Sequence, residues 1–238
     1  VELWVYAEQC TVNELGPNLK VLDIEQSCPN LVAFKKRWAN VPYANGDVSS
    51  IPRLASRPDS AKSFKWDAIR FSHKVYSIAH CAKNCGADIL IWMDADMVCH
   101  SPIDNIDLLR MCPPANDLCF LGRGKKFTEC GLYSLKLRNN FVKKFIDDFV
   151  SMYDNAEQGI FKLSEWHDSF VFDAVKDSMP LKLKNWSAGL IKGEGHPLIN
   201  SDWGAYLDHL KGKRKDIGSS TRKDLLTTRP ESYWSRVQ

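Results

Sequence analysis

Two aspartates one residue apart, Asp94 and Asp96, follow the apolar run "DILIWM", and His100 and Pro102 come just after them. Carboxylates at i and i+2 of an extended chain can point the same way and offer hard oxygen ligands to Mg²⁺ or Mn²⁺, which in turn can bridge a diphosphate. The first of them could instead serve as a nucleophile. A third role is a turn whose carboxylates accept backbone N–H bonds. His100 has the place of a loop residue ahead of Pro102. Much of the local excess of positive charge sits in "HLKGKRK", from His209 to Lys215, a pattern suited to a focused anion such as phosphate.

The elements around the pair narrow its setting. "DILIWM" is too short for a helix and apolar throughout, as in a strand covered on both faces of a parallel sheet, so Asp94 falls at a strand's carboxyl end. Ligands of open α/β sheets bind beyond such ends. Before it, "FKWDAIRFSHKVYSIAHCAKNCGA" has helical spacing: Ile69, Val75, Ile78, Ala79 and Ala82 form an apolar face, and Asp67, Arg70 and Lys74 recur on another. Gly86 ends that helix. "VELWVYAE" and "LKVLDIE" read as opening strands, with a helical stretch from Pro29 to Ala39, and Tyr43 to Ser63 as a long loop of the kind that binds or covers ligands. "DLCFLGR" and "CGLYSL" predict two strands around a loop holding Arg123, Lys125 and Lys126, while "NNFVKKFIDDFVSMYDNA" and "SEWHDSFVFDAVKDS" predict amphipathic helices. "GEGHPL" places Gly193, Gly195 and His196 near the binding end without a defined role.

Composition excludes several classes. At 238 residues, with 44% hydrophobic and 26% charged residues, the chain fits one globular domain. No apolar run approaches the ~20 residues that span a bilayer. A net charge of +3, focused rather than spread, argues against a nucleic-acid track. The eight cysteines contain no CxxC pair, and Cys81 and Cys85 sit in a helical pattern, so neither zinc ribbon nor redox motif is indicated and a cytoplasmic setting is expected. Val1 leads straight into a strand, so no signal peptide is expected in this stretch and the native start is expected upstream.

Two resemblances compete. An apolar strand followed by D-x-D-x-V resembles the first motif of haloacid dehalogenase-like phosphatases, which would make Asp94 a phosphorylated nucleophile; "SDWGAYLD" lacks the later acidic spacing of that family. "FKWDAIRFSHKV", "WMDADMV", "WHDSFVFD" and "DHLKGKRK", in this order and over most of the chain, resemble GT-A-fold glycosyltransferases. The last of these is similar to the H-x-x-G-x-x-K element of retaining hexosyltransferases. The resemblance implies an α/β fold of GT-A (Rossmann-like) type, with a mixed, mainly parallel sheet flanked by helices, in a single domain over residues 1–215, with 216–238 as a tail packed on it.

It further implies a metal-dependent transfer of a hexose from a nucleotide diphosphate sugar, most simply a UDP-sugar, to an acceptor hydroxyl, with retention favoured over inversion. Asp96 and His209 would be metal ligands, and Asp94 a ligand or ribose contact. Gly212 would approach the phosphate, and Lys215, with Lys211 and Lys213, would supply cations. An imidazole beside two carboxylates suits Mn²⁺ better than Mg²⁺. Tyr6, Ala7 and Glu8 would face the nucleotide, joined by Asp67, Arg70 and Lys74; Glu129 and Gly131 would face the sugar. Asp168, with Glu165 second, would touch donor sugar or acceptor. Without substrate, Ser164, Glu165, His167 and Asp168 read equally as a helix-capping cluster. A nucleotide-sugar-binding domain without turnover is the further alternative. The long loop and the tail could shape an acceptor site, seal the donor site or make a homo-oligomer contact.

Overall fold

The computed structural model describes residues 1–14, 16–124, 126–190 and 195–237; Lys125 and Gly193 lie outside the described residues. The fold is α/β, with small mixed sheets. By contacts the chain divides into two units, residues 1–87 with 144–175 and residues 88–143 with 176–238.

In the first unit, β1 (Leu3–Ala7) and β2 (Leu19–Asp23) pair in parallel, then α1 (Ile24–Ser27) and α2 (Pro29–Trp38) follow. Pro29 starts α2, where its missing N–H is no loss. The loop expected from Tyr43 to Ser63 holds α3 (Pro52–Ala55) and short 3₁₀ turns. In α4 (Ala68–Asn84), Val75 and Ile78 of the anticipated apolar face are buried while Ile69, Ala79 and Ala82 are half-buried, and the buried face instead takes in Ala68, Ser72 and Tyr76. Asp67 caps the helix by accepting the Arg70 N–H at 2.9 Å. Phe34, Tyr76 and Tyr153 pack as tilted and edge-on aromatic pairs within this unit's core.

The second unit begins with β3 (Ile89–Met93) and β4 (Met97–Cys99), followed by α5 (Asn105–Met111), β5 (Leu118–Arg123) and β6 (Lys126–Lys136). Between β6 and β7 in the chain, α6 (Asn140–Asp154) and α7 (Asp168–Lys176), which belong almost wholly to the first unit, fall on the two predicted amphipathic stretches. β7 (Leu183–Asn185), β8 (Leu207–His209) and α8 (Arg214–Ile217) complete the order. The four-stranded sheet runs β3-β6-β5-β7. Only β5–β7 is parallel in it; β3 and β5 both pair antiparallel with β6, so this sheet is less parallel than the sequence suggests. An apolar run records burial, and burial does not distinguish strand direction. The core of this unit gathers Leu121, Leu132, Leu198, Trp203 and Leu207 with Trp234 and Val237, so the tail supplies part of that core. No helix among the described residues is long and apolar enough to cross a membrane.

Candidate metal centre

Two strand registers meet at the aspartate pair. β3 pairs with β6 as far as Met93 opposite Leu132, and one residue on, the Asp94 N–H donates to the Gly131 carbonyl at 2.9 Å. The chain then turns, with Met97 N–H bonded to the Asp94 carbonyl, and enters β4. β4 pairs antiparallel with β8, placing Met97 opposite His209, and the Leu210 N–H donates to the Asp96 carbonyl. Asp94, Asp96 and His209 therefore offer two carboxylates and an imidazole whose ligand atoms lie within 4.8 Å of one another. Among the described residues no other group of histidine, cysteine or acidic side chains is drawn together in this way.

Each member is held differently. Asp94 Oδ1 accepts the Trp92 indole N–H at 2.7 Å. Asp96 faces His209 Nε2 at 3.1 Å and Lys215 Nζ at 3.1 Å; the His209 hydrogen bond, against the cost of burial, and then Lys215 hold its carboxyl well below the usual range. His209 is 1% exposed, and its ring meets His196 edge to face at 5.2 Å between centroids. Burial lowers the His196 pKa to about 4, so this ring adds no positive charge beside the carboxylates near neutral pH. Its Nδ1 accepts the Leu198 N–H at 3.3 Å. Among the described residues, neither His209 Nδ1 nor His196 Nε2 has a hydrogen-bond partner.

The strand under His209 is braced by its neighbour. Asp208, fully buried, accepts from the His209 N–H at 2.7 Å, the Ser220 N–H at 2.6 Å, the Ser220 hydroxyl at 2.5 Å and the Tyr233 hydroxyl at 2.9 Å. His100 is part of the same brace, stacked on Tyr233 with ring centroids 4.1 Å apart. Past His209, Gly212 has φ +64°, a left-handed turn that glycine enters without strain, and Lys215 comes back to Asp96. Lys211 instead pairs with buried Glu129 at 2.9 Å, and Arg123 closes on the same carboxylate at 3.1 Å. Asp94, Ala95, Asp96 and Lys215 line an open cavity of about 340 Å³.

No protein-family model, curated protein or solved structure matches this chain.

In the first unit the remaining candidates have other partners. Tyr6 bonds His80 Nδ1 at 2.8 Å, and burial raises its pKa. Ala7 ends β1, and Glu8 is ion-paired with Lys35 and lies 3.0 Å from His73 Nε2. Arg70 lies over the Phe71 ring, while Lys74 turns inward to an ion pair with Asp168. Glu165, 4% exposed, meets Arg57 at 2.7 Å, Lys65 at 2.9 Å and His167 at 3.0 Å. His167 Nδ1 accepts the Phe170 N–H at 3.3 Å, the capping contact that its place before α7 suggested.

Asp208, Tyr233 and His196 went unassigned in the sequence, because each acts through contacts with residues distant along the chain. Gly131 carried one readable signal: a glycine inside a strand marks close approach by another group.

Proposed function

We propose that the protein is a metal-dependent glycosyltransferase of GT-A type that moves a hexose from a nucleotide diphosphate sugar, most simply a UDP-sugar, to an acceptor hydroxyl. The observation that carries this reading is the convergence of Asp94, Asp96 and His209 within 4.8 Å, beside Lys215 and on an open cavity. The donor set fits a divalent cation. The 3.1 Å between His209 Nε2 and Asp96 Oδ1 is about the separation of adjacent ligands around a first-row ion with bonds near 2.1–2.2 Å. Two carboxylates with one imidazole favour Mn²⁺ over Mg²⁺.

When bound, such an ion would neutralise charge developing on the departing diphosphate. Asp96 and His209 would hold it, with Asp94 as a third ligand or a ribose contact. To ligate through Nε2, His209 would present that nitrogen without a proton, giving up any proton shared there with Asp96. Lys215, paired with Asp96 in the structure, would supply a cation to the diphosphate, with Lys213 beside it in sequence. In this reading Asp168, ion-paired with Lys74 in the structure, would exchange that partner for the donor sugar or acceptor hydroxyl, with Glu165 second.

The test is a panel of nucleotide sugars screened for hydrolysis and transfer with Mn²⁺, Mg²⁺ or chelator. The reading expects metal-dependent release of one nucleoside diphosphate. Phosphate release from simple phosphoesters with trapping of phospho-Asp94 would replace it with a phosphatase, and tight donor binding without turnover would reduce it to a binding domain.

A further inference from the structure

We infer that Gly131 is a positioning residue for this metal site, setting the His209 imidazole through its lack of a side chain and Asp94 through its carbonyl. The inference rests on the metal-site reading above and assigns Gly131 to a ligand instead of to the sugar.

Gly131 lies within β6, where its φ is not left-handed, so backbone conformation gives no reason for glycine there. A glycine in a strand interior weakens the strand, and what it leaves room for is the informative question. A Cβ at this position would stand 2.6 Å from His209 Cε1, 3.1 Å from His209 Nδ1 and 3.0 Å from Met97 Cε. The Met97 methyl ends a flexible chain and can swing aside. The imidazole cannot: it is fully enclosed, His196 meets it edge to face, Asp96 holds Nε2, and the backbone N–H beneath it is tied to Asp208. A methyl at 131 therefore pushes the ring, and the ring takes Nε2 away from Asp96. The same residue accepts the Asp94 N–H at 2.9 Å, so two of the three ligands take their positions from one strand residue.

The test is a double-mutant cycle on Mn²⁺ affinity, measured with saturating UDP by loss of the free-Mn²⁺ resonance, using the full chain, Gly131→Ala, His209→Ala and the double variant, with thermal melting of each. The wild type binds Mn²⁺, and Gly131→Ala weakens it about 10-fold to 100-fold, the range for residues that orient a metal ligand. In the His209→Ala background the same methyl costs no further affinity and no melting temperature, because the ring it displaced is gone. If Gly131→Ala alone fails to fold, recovery of folding in the double variant supports the inference, and failure of both overturns it. Unchanged affinity in Gly131→Ala, or losses that simply add, overturn it while leaving the metal site standing. A wild type that binds no Mn²⁺ overturns the metal reading and this inference together.

Discussion

At the start of α7 in the first unit, acidic side chains close on fixed cations: Asp168 on Lys74, and Glu165 on Arg57 and Lys65. At the end of β3 in the second unit, Asp94 and Asp96 converge with a histidine and border an open cavity. The first arrangement neutralises buried charge within the protein. The second concentrates negative charge, with the half-exposed Lys215 paired to Asp96 beside it. Burial next to a matched cation points to stability; like charges gathered at an opening suit the cation proposed above.

Substitutions can break this contrast. Lys74→Met leaves the Asp168 carboxylate buried without its cation, and chemical denaturation should show a loss of about 3–5 kcal/mol. A smaller loss accompanied by altered nucleotide-sugar binding would move the pair from stability to ligand recognition. His196 supplies the next effect. Its pKa falls from the ordinary 6.5 to about 4 through burial, so the unfolded chain binds a proton where the folded one does not. Stability is complete above pH 6.5 and is lost as pH drops towards 4, by about 3 kcal/mol in all. His196→Gln should flatten urea-denaturation midpoints across that window relative to wild type.

At the open site, Asp96→Ala should reduce Mn²⁺-dependent UDP affinity by about 100-fold, or ~2.7 kcal/mol, with melting temperature nearly unchanged. Calorimetry showing equal affinity would remove Asp96 from the metal site. The smallest expected effect is that of Glu165→Gln, which keeps the shape and weakens the ion pairs with Arg57 and Lys65, partly exposed cations, at about 1 kcal/mol. Turnover that collapses while stability holds would make Glu165 a participant in the chemistry.

What could be read in the sequence was local. β3 is marked by its apolar run and α4, α6 and α7 by their periodicity, each within one segment, whereas the residue types of Asp94, Asp96 and His209 allow ligand chemistry but leave the aspartate pair, taken alone, readable as a turn. Their convergence depends on β4 pairing with β8, across more than a hundred residues, and nothing in "MVC" or "LDH" specifies that partner. Arg57 and Lys65 lie 108 and 100 positions from Glu165, so the network that encloses it left no local trace. Helical spacing put Asp67, Arg70 and Lys74 on one face, yet capping takes Asp67 and an ion pair draws Lys74 inward. Sheet polarity was hidden for the same reason: strand direction is decided by partners, not by an apolar run.

Asp208 carries a consequence for the order in which the site comes into being. Asp94 and Asp96 leave the ribosome more than a hundred residues before His209, and the carboxylate beneath His209 is satisfied only when Ser220 and Tyr233 have followed. A nascent chain stopped short of these residues has both aspartates and the histidine but no brace for β8. Cation affinity at the proposed site should thus await synthesis of the segment through Tyr233, and removal of residues 220–238 should abolish it while sparing all three ligands.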